Sequence, residues 1–121
     1  MAEKLEDFDP LVALLQVQTL AVDFGTFLRP GVKLVNTPVA PTVTVTTDSG
    51  TDASPQTRLT AGPSIGTLSV VEGGTGKDST ALFFQLSGLR TDAAYKLVYS
   101  CSADNGDVPV AFNHIHAKTP S

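Results

Sequence analysis

Two stretches of this 121-residue chain hold residue types at spacings that chemistry uses. Gly73-Gly74-Thr75-Gly76-Lys77-Asp78-Ser79-Thr80 has the glycines and lysine of a phosphate-binding loop. Such a loop also needs a glycine five residues before the Gly-Lys pair, and a Ser or Thr directly after the lysine to reach magnesium. Val71 and Asp78 occupy those positions, and an aspartate there repels a γ-phosphate, so the stretch reads as a hairpin tip. His114 and His116 lie one residue apart, which on a strand projects both imidazoles from one face toward a shared metal. Two ligands do not close a zinc site. A third has to come from a distant residue or a symmetry mate, and the plainer reading is two polar residues on a solvent or interface face.

Other constellations are absent. Ser64, Ser87 and Ser100 lack a nucleophile-elbow context, and the carboxylates are scattered over turns, where aspartate usually serves backbone geometry. The single Cys101 has no partner within the chain, and its place in an alternating run suggests a small buried side chain rather than a reactive thiol. Tyr95, Tyr99, Phe83 and Phe84 read as core rather than as a stacking platform. Neither catalysis nor a cofactor is expected.

The elements behind these residues are strands. The chain is one domain, rich in Thr, Val, Gly and Pro, which predicts an all-β class. Twelve acidic against 8 basic residues, with no Lys/Arg cluster, argue against direct nucleic-acid binding. The acidic N-terminus does not resemble a secretory signal and no apolar run reaches membrane-spanning length, so no membrane partner is expected.

Asp9-Pro10 looks like a helix start, with Leu11, Leu14, Leu15 and Gln18 on one stripe, and residues 1–18 are read as an arm with a short helix. The stripe lies either on its own domain or on a neighbouring subunit. Alternation then predicts strands at 19–24, around Val32, Leu34 and Val35, and at Thr42–Thr46, whose threonine face meets solvent or a partner. Residues 48–66 read as a long loop, pinned by Leu59 and Ile65. Leu68 and Val70, then Leu82, Phe84 and Leu86, give further strands. Tyr95, Leu97, Tyr99 and Cys101 alternate up to Asn105-Gly106, whose positive backbone angles suit a hairpin turn back to Val108, Val110 and Phe112. If those last three point inward, unbroken alternation buries both histidines and exposes Ile115, so a bulge near Asn113 or the end of the sheet is expected. Leu86-Ser87-Gly88-Leu89, followed six residues later by Tyr95, matches the corner of an immunoglobulin-like sandwich. The predicted fold is an immunoglobulin or fibronectin III-like β-sandwich of about seven strands over residues 19–118, with a tail at 119–121.

Three blocks together resemble the small immunoglobulin-like virion proteins of tailed bacteriophages known as fibre-to-tail adaptors. They are Val22-Asp23-Phe24 with Phe27-Leu28 and Pro30-Gly31; Gly50-Thr51-Asp52-Ala53-Ser54-Pro55 with Leu59 and Gly62-Pro63-Ser64-Ile65; and Tyr95-Lys96-Leu97 leading to Asn105-Gly106. The middle block is the most distinctive. The resemblance implies a virion structural protein, made in the host bacterial cytoplasm, that joins tail, neck or fibre components and carries no catalytic residues. Its partners are then other virion proteins and itself, as a symmetric oligomer. Leu11, Leu14 and Leu15 of the arm and Asp52, Pro55 and Arg58 of the 48–66 segment are the expected contacts. A capsid-decorating protein and, less favoured without tryptophan, a carbohydrate-binding sandwich are the alternatives.

Overall fold

Alternation in β8, Ala93–Ser100, sets the frame: Ala93, Tyr95, Leu97 and Tyr99 are buried while Ala94, Lys96, Val98 and Ser100 are half-buried. The computed structural model describes residues 3–5, 7–8, 11–12, 17–25, 28–67, 79–90 and 93–118. On one side β8 pairs antiparallel with β5, Thr42–Gly50, and on the other with β10, Val110–Lys118. The far edge of β10 is covered by two short parallel pieces, β1 at Glu3–Lys4 and β2 at Leu11–Val12. A second, antiparallel sheet has the order β3-β7-β6, formed by Gln18–Asp23, Ala81–Leu86 and Leu59–Gly66. β4, Leu34–Val35, pairs with β9, Ser102–Ala103.

The two larger sheets share one core. Val22, Leu82, Phe84 and Leu86 from one meet Val43, Val45, Tyr95, Leu97, Tyr99 and Ile115 from the other, and the Phe84 and Tyr99 rings lie 5.6 Å apart. The chain is all-β: among the described residues six strands run for six residues or more, and no helix is long and apolar enough to cross a membrane. The threonine face of β5 is exposed as its alternation dictates, with Val43 and Val45 turned inward.

Four expectations change. Leu11–Val12 is extended rather than helical, and Gln18 already belongs to β3; Asp9, Pro10, Leu14 and Leu15 lie outside the described residues. The far edge of β10 offers unpaired peptide groups, and Glu3–Lys4 and Leu11–Val12 pair with it as strand, with the Leu5 and Phe8 N–H groups bonded to it between them. Second, most of 48–66 is not loop. β5 runs to Gly50, a 3-10 turn spans Pro55–Arg58, and Leu59–Gly66 is an edge strand whose register shifts twice. Its Gly62, at φ +84°, and Pro63 are tolerated because bulges and edges accept both residues.

Third, β10 has no bulge at Asn113. Its pairing with β8 is continuous from Val110↔Ser100 to His116↔Ala94, with Ala111, Asn113 and Ile115 buried and Val110 and Phe112 on the outer face. The polar Asn113 is accepted inside because the Tyr99 hydroxyl donates to its Oδ1 at 2.6 Å. Fourth, only Gly106 of the Asn-Gly pair has a positive φ, 93°. The Gly106 N–H bonds to the Ala103 carbonyl and the Ala103 N–H to that of Asp107, a type I turn closed by a glycine bulge. Leu68, Val70 and the glycine-rich stretch from Gly73 to Asp78 fall outside the described residues.

Candidate functional site

The corner before β8 gathers a connected set of polar contacts. The Tyr95 hydroxyl accepts the Arg90 N–H at 2.9 Å and donates to Asp52 Oδ2 at 2.7 Å. Arg58 grips the same carboxylate side-on, Nε to Oδ2 at 2.9 Å and Nη2 to Oδ1 at 3.2 Å, and the Ser54 N–H donates to Oδ1. Only 2% of the Asp52 side chain and 22% of that of Arg58 remain exposed. The guanidinium, and to a lesser degree the Ser54 and Tyr95 donors, outweigh desolvation and hold the Asp52 carboxyl well below the usual carboxylate range. Arg58 is correspondingly raised by Asp52. Of the contacts expected from sequence in this segment, Asp52 bonds to Arg58 and Tyr95, and Pro55 opens the 3-10 turn, half-buried.

That lock positions Gln56, which sequence reasoning missed. Its Oε1 accepts the Val45 N–H at 2.8 Å and its Nε2 donates to the Val43 carbonyl at 3.0 Å. The side-chain amide thus stands where a peptide unit of a further strand would pair with the β5 edge. Nothing in its sequence context signals this, since an exposed glutamine after a proline is ordinary surface. Gln56→Ala should leave the fold intact but open the edge to strand addition, raising concentration-dependent self-association by light scattering. Unchanged scattering would show that Gln56 does not guard the edge.

His114 and His116 do project from one face, as their spacing requires. His114 is half-buried and His116 exposed. The Asp7 carboxylate accepts the His114 backbone N–H at 2.8 Å and lies 3.4 Å from its Nδ1, while Asp48 Oδ2 lies 3.8 Å from Nε2. The two carboxylates therefore flank opposite ring nitrogens and do not converge on one point. Among the described residues no group of three His, Cys, Asp or Glu side chains is arranged to hold a metal ion. Phe112, next on this face, lies edge-on to His114 with centroids 6.0 Å apart, and the Lys96 ammonium sits 4.8 Å from its ring centre.

Cys101 is buried, and its Sγ–H donates to the Val35 carbonyl at 3.3 Å; burial pushes the thiol up, away from the reactive thiolate. Open clefts among the described residues include two of moderate size. One of about 350 Å³ is lined by Leu28, Arg29, Asn105, Asp107, Val108 and Pro109. The other, about 200 Å³, lies over Phe83 beside Gly62 and Ser64. In the first, the Asp107 carboxylate is tied to the Asn105 amide at 3.1 Å, a turn contact. Among the described residues no buried side-chain nitrogen or oxygen lacks a hydrogen-bond partner, so none points to a missing ligand. Comparison of the chain with protein-family models, with curated proteins and with solved structures found no match to any of the three.

Proposed function

We propose that the chain is an immunoglobulin-like β-sandwich serving as a structural protein of a tailed-phage virion, a connector that joins tail, neck or fibre components by protein–protein contacts. One observation carries this reading. The block most distinctive of the adaptor resemblance, Gly50 to Ile65, supplies the Asp52–Arg58 pair that closes on Tyr95 at the sheet-to-sheet corner. A tyrosine near the start of its strand, with its hydroxyl bonded to backbone a few residues upstream, is the corner device of that sandwich class. The orders β10-β8-β5 and β3-β7-β6 suit it as well. A binding role also fits the site chemistry, because the buried polar side chains are committed to one another. The outer face of β5, with exposed Thr42, Thr44 and Thr46, and the loop end around the exposed Val108 remain for contacts repeated by symmetry.

Mass analysis and electron cryomicroscopy of purified particles test this. A few to tens of copies at the neck or tail are expected. Hundreds over the head would replace the connector with a decoration protein, and absence from particles would remove the virion reading.

A further inference from the structure

We propose that the N-terminal arm, described at residues 3–5, 7–8 and 11–12, is an exchangeable segment that in assembled copies leaves its own β10 and lies along β10 of a second copy. Among the described residues the arm is held by little backbone. β1 and β2 contribute two-residue parallel ladders, and between them the Leu5 N–H donates to the Phe112 carbonyl at 2.8 Å and the Phe8 N–H to that of His114 at 3.1 Å. Between those two bonds the Asp7 carboxylate accepts the His114 N–H. The side-chain contact between arm and body is solvent-exposed: Asp7 lies 3.4 Å from His114 Nδ1, with 52% and 32% of the two side chains accessible. Short parallel pairing and an exposed polar contact are weak restraints.

Yet the position cannot stand empty. Leu5 and Phe8 pack against the core, with the Phe8 ring edge-on to Phe84 at 6.1 Å. Withdrawal of the arm uncovers Phe84 together with the Phe112 and His114 carbonyls and the His114 N–H. The occupant that fits must be extended, carry apolar side chains three residues apart and place a carboxylate between them. That describes the arm itself, so the partner is another copy of this chain. An exchanged arm makes the same contacts it makes at home, so the closed and exchanged forms differ mainly in chain entropy and concentration decides between them. Reciprocal exchange closes a dimer, while head-to-tail exchange builds a ring or an open row.

The test uses full-length chains in solution and is separate from the virion reading, since exchange can fail while particle incorporation is unaffected. Lys4 and Phe112 are Cα partners across the β1–β10 ladder, so cysteines there can form a disulfide. A mass-tagged Lys4→Cys chain mixed with a Phe112→Cys chain at high concentration and oxidised should give disulfide heterodimer several-fold above a mixture of Lys4→Cys with Thr44→Cys, a site on exposed β5. The double variant Lys4→Cys/Phe112→Cys, oxidised while dilute so that its own arm is stapled down, should stay monomeric where the unmodified chain associates. Heterodimer at the control level, or a stapled chain that associates as readily as the unmodified one, overturns the proposal.

Discussion

Replacing Asp52 with alanine is expected to destabilise the fold by about 3 kcal/mol. Removing one member of a buried ion pair costs roughly 3–5 kcal/mol because the other charge is left without compensation. Arg58 keeps 22% of its side chain in solvent and can recover some hydration, which places the loss at the low end. The Tyr95 hydroxyl and the Ser54 N–H lose an acceptor in the same step. Tyr95→Phe should cost less, about 2 kcal/mol, because it removes the donor to Asp52 and the acceptor of the Arg90 N–H while the Asp52–Arg58 pair survives. The double variant should lose less than the sum, since both changes break the same 2.7 Å bond. Urea unfolding of the four proteins measures this, and strict additivity would show that the corner is not one unit.

The same carboxylate gives stability a pH dependence whose sign follows from its shift. Arg58 holds the folded carboxyl below its unfolded value, so the unfolded chain binds the proton more readily. The contribution is therefore full above the unfolded carboxyl pKa of about 3.9 and drains away as pH falls through it toward the folded value. Asp7 is lowered in the same direction by its bond to Lys4, but with half its side chain exposed it adds little. Urea midpoints taken from neutral pH downward should fall more steeply below about pH 4 in the native protein than in Asp52→Asn. Parallel curves would locate the acid sensitivity elsewhere.

Why Tyr95 was legible in sequence and Asp52 was not as a lock is a matter of range. Leu86-Ser87-Gly88-Leu89 and Tyr95 are close in the chain, and alternation alone puts the tyrosine inside. Asp52 reaches Tyr95 across 43 residues of sequence separation, and a turn-rich Gly-Thr-Asp segment gives no sign of where its carboxylate ends. The longer strands β3, β5, β7 and β8 announced themselves by period two. β6 did not, because Gly62 and Pro63 are loop residues by propensity and only the pairing with β7 makes them strand. Leu11–Val12 departs from the pattern for a related reason: local capping signals favoured a helix, while the open edge of β10 favours extension there. On β10 itself the pattern misled by half a period. Val110 and Phe112 are the more apolar set, but Asn113 and not Phe112 sits inside, because Tyr99 is there to meet it and Lys96 covers the phenyl ring outside.

That buried pair supports the second large effect. Tyr99 and Asn113 are both fully buried, and burial drives the phenol far above its ordinary ionisation range, so it stays a donor throughout. Tyr99→Phe removes that donor and leaves Asn113 Oδ1 without it in the core, an expected loss of about 1–3 kcal/mol. Asn113→Leu is expected to cost at least as much, since it strands the tyrosine hydroxyl and asks a branched side chain to fit a site shaped for an amide. Combining them removes both polar groups at once, so the double variant should be more stable than Asn113→Leu alone, although it carries one more substitution in the core. Such a reversal is the signature of a bond whose partners are costly apart and nearly neutral together. If Tyr99→Phe instead deepens the defect of Asn113→Leu, the asparagine is held inside by the backbone register of β10 on β8 rather than by the hydroxyl. Amide exchange along residues 111–115 separates the two readings, because loss of the hydroxyl bond alone leaves the ladder protected whereas a register defect exposes it.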